Sequence, residues 1–522
     1  LKRGDVWYEP IGGITSNRLK NGRSAQQPTL IASYGADGPR PLLKLGDHRA
    51  GLSVGVNRPI TVENVALVGI HFYDEKGDPG SPEFVRDRVK RGTGISWIGP
   101  GKNFLVEGCR FQYLSGGAIQ GKSPSRERLS EESLRNVRIR RCVVDHAWST
   151  SGHCQGFFFH KVDGLLLEEN VLDHNGYCIE TGDLPTWFNH NVYITIECDN
   201  VIARGNIIAR GSTTGIYCRT NGIMEDNLCL DNSPSLNLGR IAKARPGGVT
   251  GRIAGNVVID GLSRQSLRQG EVGGGPGIEV ANVNYEGAVV ERNIIIGSGA
   301  ERPAAIVLSS GGVGLHNVTV RNNISYGWPG FMGWVGEPGT ELEKLRLSNN
   351  VVKNNVFQLH DPRAEARWAV RTRDTADAAG FIFSGNVYHY APAAKDCVEL
   401  VNKQRVTLEK WLVISNDDGG RMQKVEFVDP SRNPATWHGS LGREATREAF
   451  LAEACKQGKF NWREEYTAKA VIAYIREGFR PKTDIGGGGS RHGTTLRHPA
   501  PPCRDYGVRQ TLSSFRSSQE RP

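Results

Sequence analysis

The sequence predicts an all-β protein, a right-handed, single-stranded parallel β-helix of about ten or eleven coils with a short helical C-terminal segment. Three observations lead to this prediction. A strand–Asn–strand pattern recurs along the chain, glycine accounts for 65 of 522 residues, and methionine for only 3. Abundant glycine indicates many tight turns, and scarce methionine argues against helical bundles. With 38% hydrophobic residues, the chain can bury a large core.

The recurring pattern is an apolar alternation, two small or polar residues that usually include Asn, and a second alternation, as in NVIARGNII and AVVERNIII. The pivots between the two alternations are Ile70, Cys109, Cys142, Asn170, Asn206, Asn227, Asn256, Asn293, Asn323, Asn350 and Asn386. Two period-2 segments that meet at a fixed residue indicate two short strands joined by a bend, where Asn tolerates left-handed backbone. A third apolar segment usually precedes them, which gives three strands per coil.

The ends of the chain differ from this repeat, and an open solenoid needs caps on its exposed strand edges. We interpret residues 1–60 as an N-terminal cap with the first strands and residues 61–390 as the β-helix with loop insertions. Residues 391–484 form the predicted C-terminal cap, in which REATREAFLAEACKQ and TAKAVIAYIREGF are typical of amphipathic helices. Residues 485–522 are rich in Gly, Ser, Arg and Pro, which predicts a disordered basic tail.

The charge and composition of the chain limit the classes of partner that it could bind. Lys and Arg number 65 against 55 Asp and Glu, for a net charge of +10, which suits an acidic partner or serves solubility alone. The sequence has no Lys/Arg block typical of nucleic-acid arms and no apolar run long enough for a membrane span. We expect a monomer that binds an acidic polysaccharide and neither nucleic acid nor a membrane core. Because such a substrate lies outside the cytoplasm, we expect a secreted or periplasmic location.

The first strand of each coil forms a flat sheet, and strand parity predicts which side chains face outward. In GIYCRT this phase sends Arg219 outward, and in NVYITIE it sends Tyr193, Thr195 and Glu197 outward and Ile196 inward. Two outward columns follow. One is Gln120, Phe158, Tyr193, Tyr217, Asn237 and Glu279, and the other is Lys122, His160, Thr195 and Arg219. Aromatic rings stack on sugars and cations pair with carboxylates, so the face predicts a groove, unless long loops cover it.

A long loop, VLDHNGYCIETGDLPTWFNH, precedes the strand that carries Tyr193. It contains titratable side chains at His174, Glu180, Asp183 and His190. Loops on a rigid scaffold often supply catalytic groups, so we expect this loop to flank the groove.

The Asn-pivot repeat of residues 60–390 resembles the pectate-lyase-like superfamily of right-handed β-helices, which includes polysaccharide lyases, glycoside hydrolases and epimerases. The segment GIYCRTNGIMEDNLCLDN is similar to the LRHG…N.F coil of the alginate and dermatan lyases of the chondroitinase-B-like family. This resemblance implies that Arg219 matches the family's catalytic Arg and that Ca²⁺ is a candidate cofactor. About one coil earlier, where the family has a catalytic Lys, the chain has Glu197 and Cys198.

Elimination from a uronic acid needs a cation for the developing carboxylate charge and a base for the neighbouring carbon-bound proton. We predict Arg219 as the cation and Tyr193 as the base, with His190 or His160 sharing the proton. The same groups would suit a C5 epimerase. The residues predicted to bind substrate are Tyr217, Phe158, Lys122, His174, Glu197, Asn237 and Glu279.

Other functions remain open at this stage. A glycoside hydrolase needs two carboxyl groups about 5–9.5 Å apart, whereas Glu197 and Glu279 lie three coils, roughly 14 Å, apart. Glu180 or Asp183 would have to reach Glu197 instead. A metal site could use Glu197, Asp199 and Glu180, although their spacing is not diagnostic. A polysaccharide-binding or adhesion β-helix needs no base. Titratable groups concentrated between Phe158 and Arg219 favour an enzyme.

Overall fold

A computed structural model describes residues 1–11, 19–55, 61–86, 92–123, 129, 132–150, 152–239, 245–263, 273–297, 304–336, 346–361, 368–373, 380–392, 396–400 and 403–482. The predicted basic tail, residues 485–522, lies outside the described residues. Three long sheets run side by side along the chain, and successive coils add one strand to each of them in parallel. This arrangement confirms the predicted parallel β-helix.

The strands of each coil come in a fixed order, and we number the sheets accordingly. Sheet 1 has 13 strands, of which the last is antiparallel: Ala50–Val54, Thr93–Ile98, Ile119–Lys122, Phe157–His160, Val192–Ile194, Ile216–Cys218, Leu236–Leu238, Ile278–Ala281, Ala304–Ser310, Gly330–Gly336, Val370–Arg373, Val398–Glu399 and Arg405–Val406. The main path of sheet 2 comprises Thr29–Ala32, Val62–Val68, Gly101–Glu107, Leu134–Arg140, Val162–Glu168, Asp199–Arg204, Gly222–Glu225, Val249–Ala254, Val283–Glu291, Val318–Arg321, Asn350–Lys353 and Phe381–Ser384.

Sheet 3 has 14 strands: Val6–Trp7, Leu42–Lys44, His71–Tyr73, Arg110–Gln112, Val143–Asp145, Val171–Asp173, Ile207–Ala209, Leu228–Leu230, Val257–Ile259, Ile294–Ile296, Ile324–Tyr326, Val356–Leu359, Val387–Tyr390 and Arg421–Met422. The short strands Leu315–His316 and Leu347–Ser348 join sheet 2 off its main path, and Leu262–Ser263 pairs with Gly273–Gly274. Strands therefore occur before the first pivot and after the last one, at both ends of the repeat.

The hydrophobic core fills the space between the three sheets. Each strand contributes alternate side chains to it, such as Phe157 and Phe159 from sheet 1 and Leu165 and Leu167 from sheet 2. The middle residue of a sheet 3 strand also points into this core, as Ile208 does. Period-2 alternation thus places one side of every strand in the interior.

A ladder of buried Asn side chains marks the bend between sheets 2 and 3. Nδ2 of each Asn donates to Oδ1 of the Asn one coil further on, at 2.8–2.9 Å. The ladder consists of Asn170, Asn206, Asn227, Asn256, Asn293, Asn323, Asn355 and Asn386. The prediction of Asn350 as a pivot is wrong. Asn350 begins a sheet 2 strand and bonds to the backbone of Val318 and Leu315.

In the described part of the chain, four α-helices follow the coils: Leu408–Ser415, Pro434–Ser440, Arg447–Ala454 and Ala468–Gly478. The last two confirm the two helices predicted from amphipathic sequence. Phe450, Leu451, Val471 and Ile475 pack on the outer face of sheet 3, in a second apolar cluster separate from the interior core. The outer face of sheet 3 is therefore covered by these helices. Within the described ranges, no helix is long and apolar enough to cross a membrane.

Candidate active site

The outward column of sheet 1 is continuous across five successive coils. Phe158, Tyr193, Tyr217, Asn237 and Glu279 are direct neighbours in the strand register. The Tyr193 and Tyr217 rings stack at 5.4 Å, and the Phe158 ring meets Tyr193 edge-on at 5.4 Å. All three aromatic side chains are half-buried. Sheet 1 therefore presents an aromatic strip to solvent, as parity predicts.

Arg219 lies beside this strip. Its backbone N–H bonds to the Ile194 carbonyl at 3.0 Å, so it extends the ladder directly after Ile216–Cys218. Its Nη1 donates to Tyr193 Oη at 2.5 Å, and Cζ lies 5.8 Å from the Tyr193 ring centre. Arg219 is only 8% exposed, and this contact shows that it packs against the outward column and not in the solenoid core. A guanidinium donor stabilises a phenoxide oxygen, so the pair can support a tyrosine base.

His190 contacts both tyrosines of the strip. Its ring lies 5.3 Å from Tyr193 and 4.9 Å from Tyr217. Its Nδ1 is 2.8 Å from Oγ1 of Thr213, whose hydroxyl donates to the Asn189 carbonyl at 2.7 Å. Because a hydroxyl has a single proton, we assign the Nδ1 proton to the imidazole, which donates to Thr213. Neutral His190 then carries its lone pair on Nε2.

The backbone before the Val192–Ile194 strand is fixed by groups that the sequence analysis did not single out. Oε1 of Gln155 accepts from His190 N at 2.6 Å, and its Nε2 donates to the Phe188 carbonyl at 2.7 Å. A second Asn ladder runs along the same bend, with Nδ2 of Asn175 donating to Asn191 at 2.8 Å and Nδ2 of Asn191 to Asn232 at 3.1 Å. Because these residues are irregularly spaced in the sequence, a search for a regular repeat does not reveal them.

His160 lies at the other edge of the strip and has different partners from His190. Its Nδ1 is 3.2 Å from Thr195 Oγ1 and 3.4 Å from a Glu197 oxygen. Burial lowers the pKa of His160, and the nearby Glu197 charge opposes that shift. Lys122, its register neighbour, places Nζ 5.0 Å from the Phe158 ring centre, and burial lowers the pKa of this lysine. These residues form a polar margin with a cation, an imidazole and a carboxylate.

The parity argument fails after Ile194. The strand ends there, and a turn closed by Cys198 N donating to the Thr195 carbonyl at 3.3 Å follows it. The placement of Ile196 in the core is therefore wrong, since this side chain is half-buried outside the core cluster. Thr195 is buried beside His160. Alternation holds only for residues within the extended strand.

Two further predicted substrate-binding residues, Asn237 and Glu279, form a polar end to the column. Asn237 Nδ2 donates to Glu279 at 2.8 Å, and the Ser309 hydroxyl lies 3.5 Å from the other carboxylate oxygen. Burial raises the pKa of Glu279, and the two hydrogen bonds only partly offset it. This end of the column therefore holds a carboxyl group that resists ionisation.

The structure places His174 away from the strip. It follows the sheet 3 strand Val171–Asp173 with a left-handed backbone at φ 57°. Its ring stacks between His146 at 4.6 Å and Tyr177 at 4.3 Å. The long loop therefore reaches the tyrosines through its last residues, at His190, while its first residues belong to a separate aromatic stack.

The candidate calcium ligands have other partners. Asp199 pairs with Arg245 at 2.5 Å, Glu197 pairs with His160, and Glu180 accepts from the Cys178 thiol at 3.3 Å. Asp183, a candidate only as a loop carboxylate that could reach Glu197, accepts from Thr181 at 2.7 Å and lies 3.6 Å from Arg86. Within the described ranges, no three His, Cys, Asp or Glu side chains come together as a metal site. The arrangement of these residues therefore does not fit a calcium ion.

Comparisons with known proteins give distant structural likenesses only. No protein-family model matches the chain, and no curated protein matches it. One similar solved structure is the GH136 lacto-N-biosidase from Eubacterium ramulus, with 13% identity, a TM-score of 0.33 and 74% of this chain covered. The chain spans 57% of the length of that enzyme. Another is a mannuronic acid specific polysaccharide family 6 lyase from human gut microbiota, with 12% identity and a TM-score of 0.32. That match covers 91% of this chain and 99% of the other.

Proposed function

We propose that the protein is an enzyme that acts on an acidic, uronic-acid-containing polysaccharide by β-elimination. The observation that carries this proposal is the contact of Arg219 Nη1 with Tyr193 Oη at 2.5 Å, with His190 against the same tyrosine ring. A cation, a phenol and an imidazole thus meet on an aromatic strip suited to sugar rings. A face that only bound glycans would need the strip but not this group of proton-handling side chains.

In the proposed reaction, Nε2 of His190 takes the phenol proton of Tyr193, while Arg219 stabilises the resulting phenoxide. The phenoxide removes the C5 proton of the uronic acid, and the charge that develops on the sugar carboxylate faces the guanidinium. The electron pair of the C–H bond forms the C4–C5 double bond as the C4–O bond breaks. The imidazolium of His190 gives its proton to the departing oxygen, which returns both side chains to their starting forms.

The remaining groove residues have binding roles in this proposal. Phe158 and Tyr217 stack on sugar rings, Lys122 attracts carboxylates along the margin of the strip, and the imidazole of His160 hydrogen-bonds to sugar hydroxyls there. Glu197 holds His160, and Asn237 with Glu279 bonds to sugar hydroxyls at the polar end. Because Glu197 and Glu279 have different partners and lie three coils apart in the register, they do not form the carboxyl pair of a glycoside hydrolase.

The first test is incubation of the protein with a panel of acidic polysaccharides, with ultraviolet absorbance of the unsaturated product as the readout. Arg219→Ala and Tyr193→Phe should each lower turnover by about a hundredfold or more without loss of folding. Arg371→Ala is a matched control, since Arg371 lies in sheet 1, contacts the Trp368 ring and pairs with Glu399 at 2.8 Å. Tyr217→Phe, which removes the neighbouring hydroxyl, should change KM at most.

Other outcomes identify the alternatives. Solvent deuterium entering the sugar without chain cleavage would replace elimination by C5 epimerisation at the same residues. Reducing ends without absorbance would indicate hydrolysis. Binding with no change in the polymer would indicate a non-catalytic role. Full activity of the Arg219→Ala variant would overturn the assignment of Arg219 and Tyr193.

A further inference from the structure

Two neighbouring aromatic side chains stand exposed next to the candidate active site. Trp187 is 57% exposed and Phe188 is 60% exposed. Single exposed apolar residues are common on protein surfaces, but a Trp is usually largely buried. Two consecutive large aromatic rings in solvent leave a substantial apolar surface uncovered.

Loose loop structure does not account for this exposure. Thr186 N donates to Ser212 Oγ at 2.8 Å, and the same hydroxyl donates to the Thr186 carbonyl at 3.0 Å. On the other side of the pair, the Phe188 carbonyl accepts from Gln155 at 2.7 Å, and Asn189 Nδ2 donates to the Gly176 carbonyl at 2.7 Å. The backbone on both sides of the two rings is therefore attached to neighbouring coils. The two rings are therefore held at a fixed place on the surface.

That place adjoins the groove. Trp187 precedes His190 by three residues, so their Cα atoms are at most about 11 Å apart. The Phe188 ring lies 5.3 Å from His153, in the loop that leads to the Phe157–His160 strand of sheet 1. His190 in turn contacts Tyr193 and Tyr217. The exposed pair therefore lies within three residues of His190, the loop residue that contacts the aromatic strip.

We propose that Trp187 and Phe188 form a stacking platform for a sugar ring of the polysaccharide beyond the ring held at Tyr193 and Arg219. This inference rests on the proposed polysaccharide substrate. A sugar is the fitting occupant because its C–H face covers an aromatic ring while its hydroxyls stay in water. The platform gives the enzyme a preference for longer chains, because only a polymer that extends past the reactive residue can reach it.

The test compares oligosaccharides of increasing length, taken from whichever acidic polysaccharide the wild-type protein cleaves or binds. The double variant Trp187→Ala/Phe188→Ala should raise KM or Kd about tenfold for the longest chains. It should leave the shortest cleaved chain and kcat nearly unchanged. Tyr285→Ala is the matched control, since Tyr285 is 70% exposed and belongs to a sheet 2 strand. An unchanged melting temperature would show that both variants fold.

Each result has a definite meaning. Loss of affinity that grows with chain length in the double variant alone would support the platform. Equal affinity of wild type and double variant at every length would overturn it and leave the elimination proposal intact. A wild-type protein that binds the polysaccharide but does not cleave it would overturn the elimination proposal. The dependence of Kd on chain length would still test the platform in that case. A wild type that binds no member of the panel would overturn both.

Discussion

Glu279 ends the outward column with a carboxyl group whose hydrogen-bonding partners, among the residues that the structure describes, are both neutral. Asn237 lies at 2.8 Å and Ser309 at 3.5 Å. Burial disfavours the charged form and raises the pKa of Glu279, whereas both partners favour the charged form. The outward column therefore begins with the aromatic rings of Phe158, Tyr193 and Tyr217 and ends with the hydrogen-bonded carboxyl group of Glu279.

The raised pKa of Glu279 predicts a pH-dependent loss of stability. Below about pH 4.5 the carboxyl is protonated in both folded and unfolded chains, so it has no effect. As the pH rises further, the unfolded chain ionises first, and the folded state loses stability until its own pKa is passed. Thermal melts from about pH 4 to pH 8 should show wild type losing stability relative to Glu279→Gln.

Glu453 provides a control of opposite sign. Bonds from Lys456 and Arg463 lower the pKa of Glu453 to about 2. Its contribution is present above about pH 4.5 and is lost as the pH falls towards 2, so Glu453→Gln should lower stability at neutral pH. Parallel melting curves for wild type and Glu279→Gln would contradict the expectation for Glu279.

At the level of elements, strand parity and the Asn repeat predicted most of the scaffold, because both depend on regular backbone geometry. Parity placed Tyr193, Tyr217 and Arg219 on the outer face of sheet 1, and the structure has them there in contact; their roles stay a prediction. The failures lie where the regularity ends. Ile196 follows the end of its strand. Asn350 and Asn355 both precede an apolar alternation, and only the fold shows that Asn355 is the member of the ladder. Trp187 stands in a loop with no period, so only the folded chain shows its exposure.

The Asn ladder predicts a large cost for replacing one of its members. Asn256 Nδ2 donates to Asn293 at 2.9 Å and to the Met224 carbonyl at 3.0 Å. Its Oδ1 accepts from both N and Nδ2 of Asn227 at 2.9 Å. Asn256→Leu leaves these buried groups unpaired and should lower the free energy of unfolding by about 1–3 kcal/mol.

Chemical denaturation checks this expectation. Asn284→Leu is the matched control, because Asn284 is a half-buried Asn of the sheet 2 strand Val283–Glu291 outside the ladder, whose Oδ1 accepts from Glu286 N. This control should change stability by about 0.5 kcal/mol or less. Similar losses in the two variants would show that the ladder contributes no more than an Asn hydrogen bond outside it.

In the whole molecule, the outer faces of the β-helix sheets have different surroundings. Sheet 1 carries the candidate active site on its outer face, whereas the outer face of sheet 3 lies under the C-terminal helices. Arg447 joins the two parts by pairing with Asp231 at 2.7 Å and Asp260 at 3.1 Å. The amphipathic pattern predicted the helices but not where they pack, since sheet 3 strands such as Ile207–Ala209 and Val257–Ile259 are apolar throughout and give no sign of which side is covered.

This division predicts that stability and turnover can be changed separately. Phe450 is fully buried beneath the helices on sheet 3, so Phe450→Ala should lower the free energy of unfolding by about 3–5 kcal/mol. Phe460→Ala is the matched control, because Phe460 is 55% exposed and should cost about 1 kcal/mol or less. Because Phe450 belongs to the apolar cluster on sheet 3 and not to sheet 1's outer column, activity per folded molecule should match wild type at temperatures well below melting. Denaturation midpoints together with turnover normalised to folded protein measure both quantities. A Phe450→Ala variant that stays folded but loses turnover would show that the helical cover supports the active site across the solenoid.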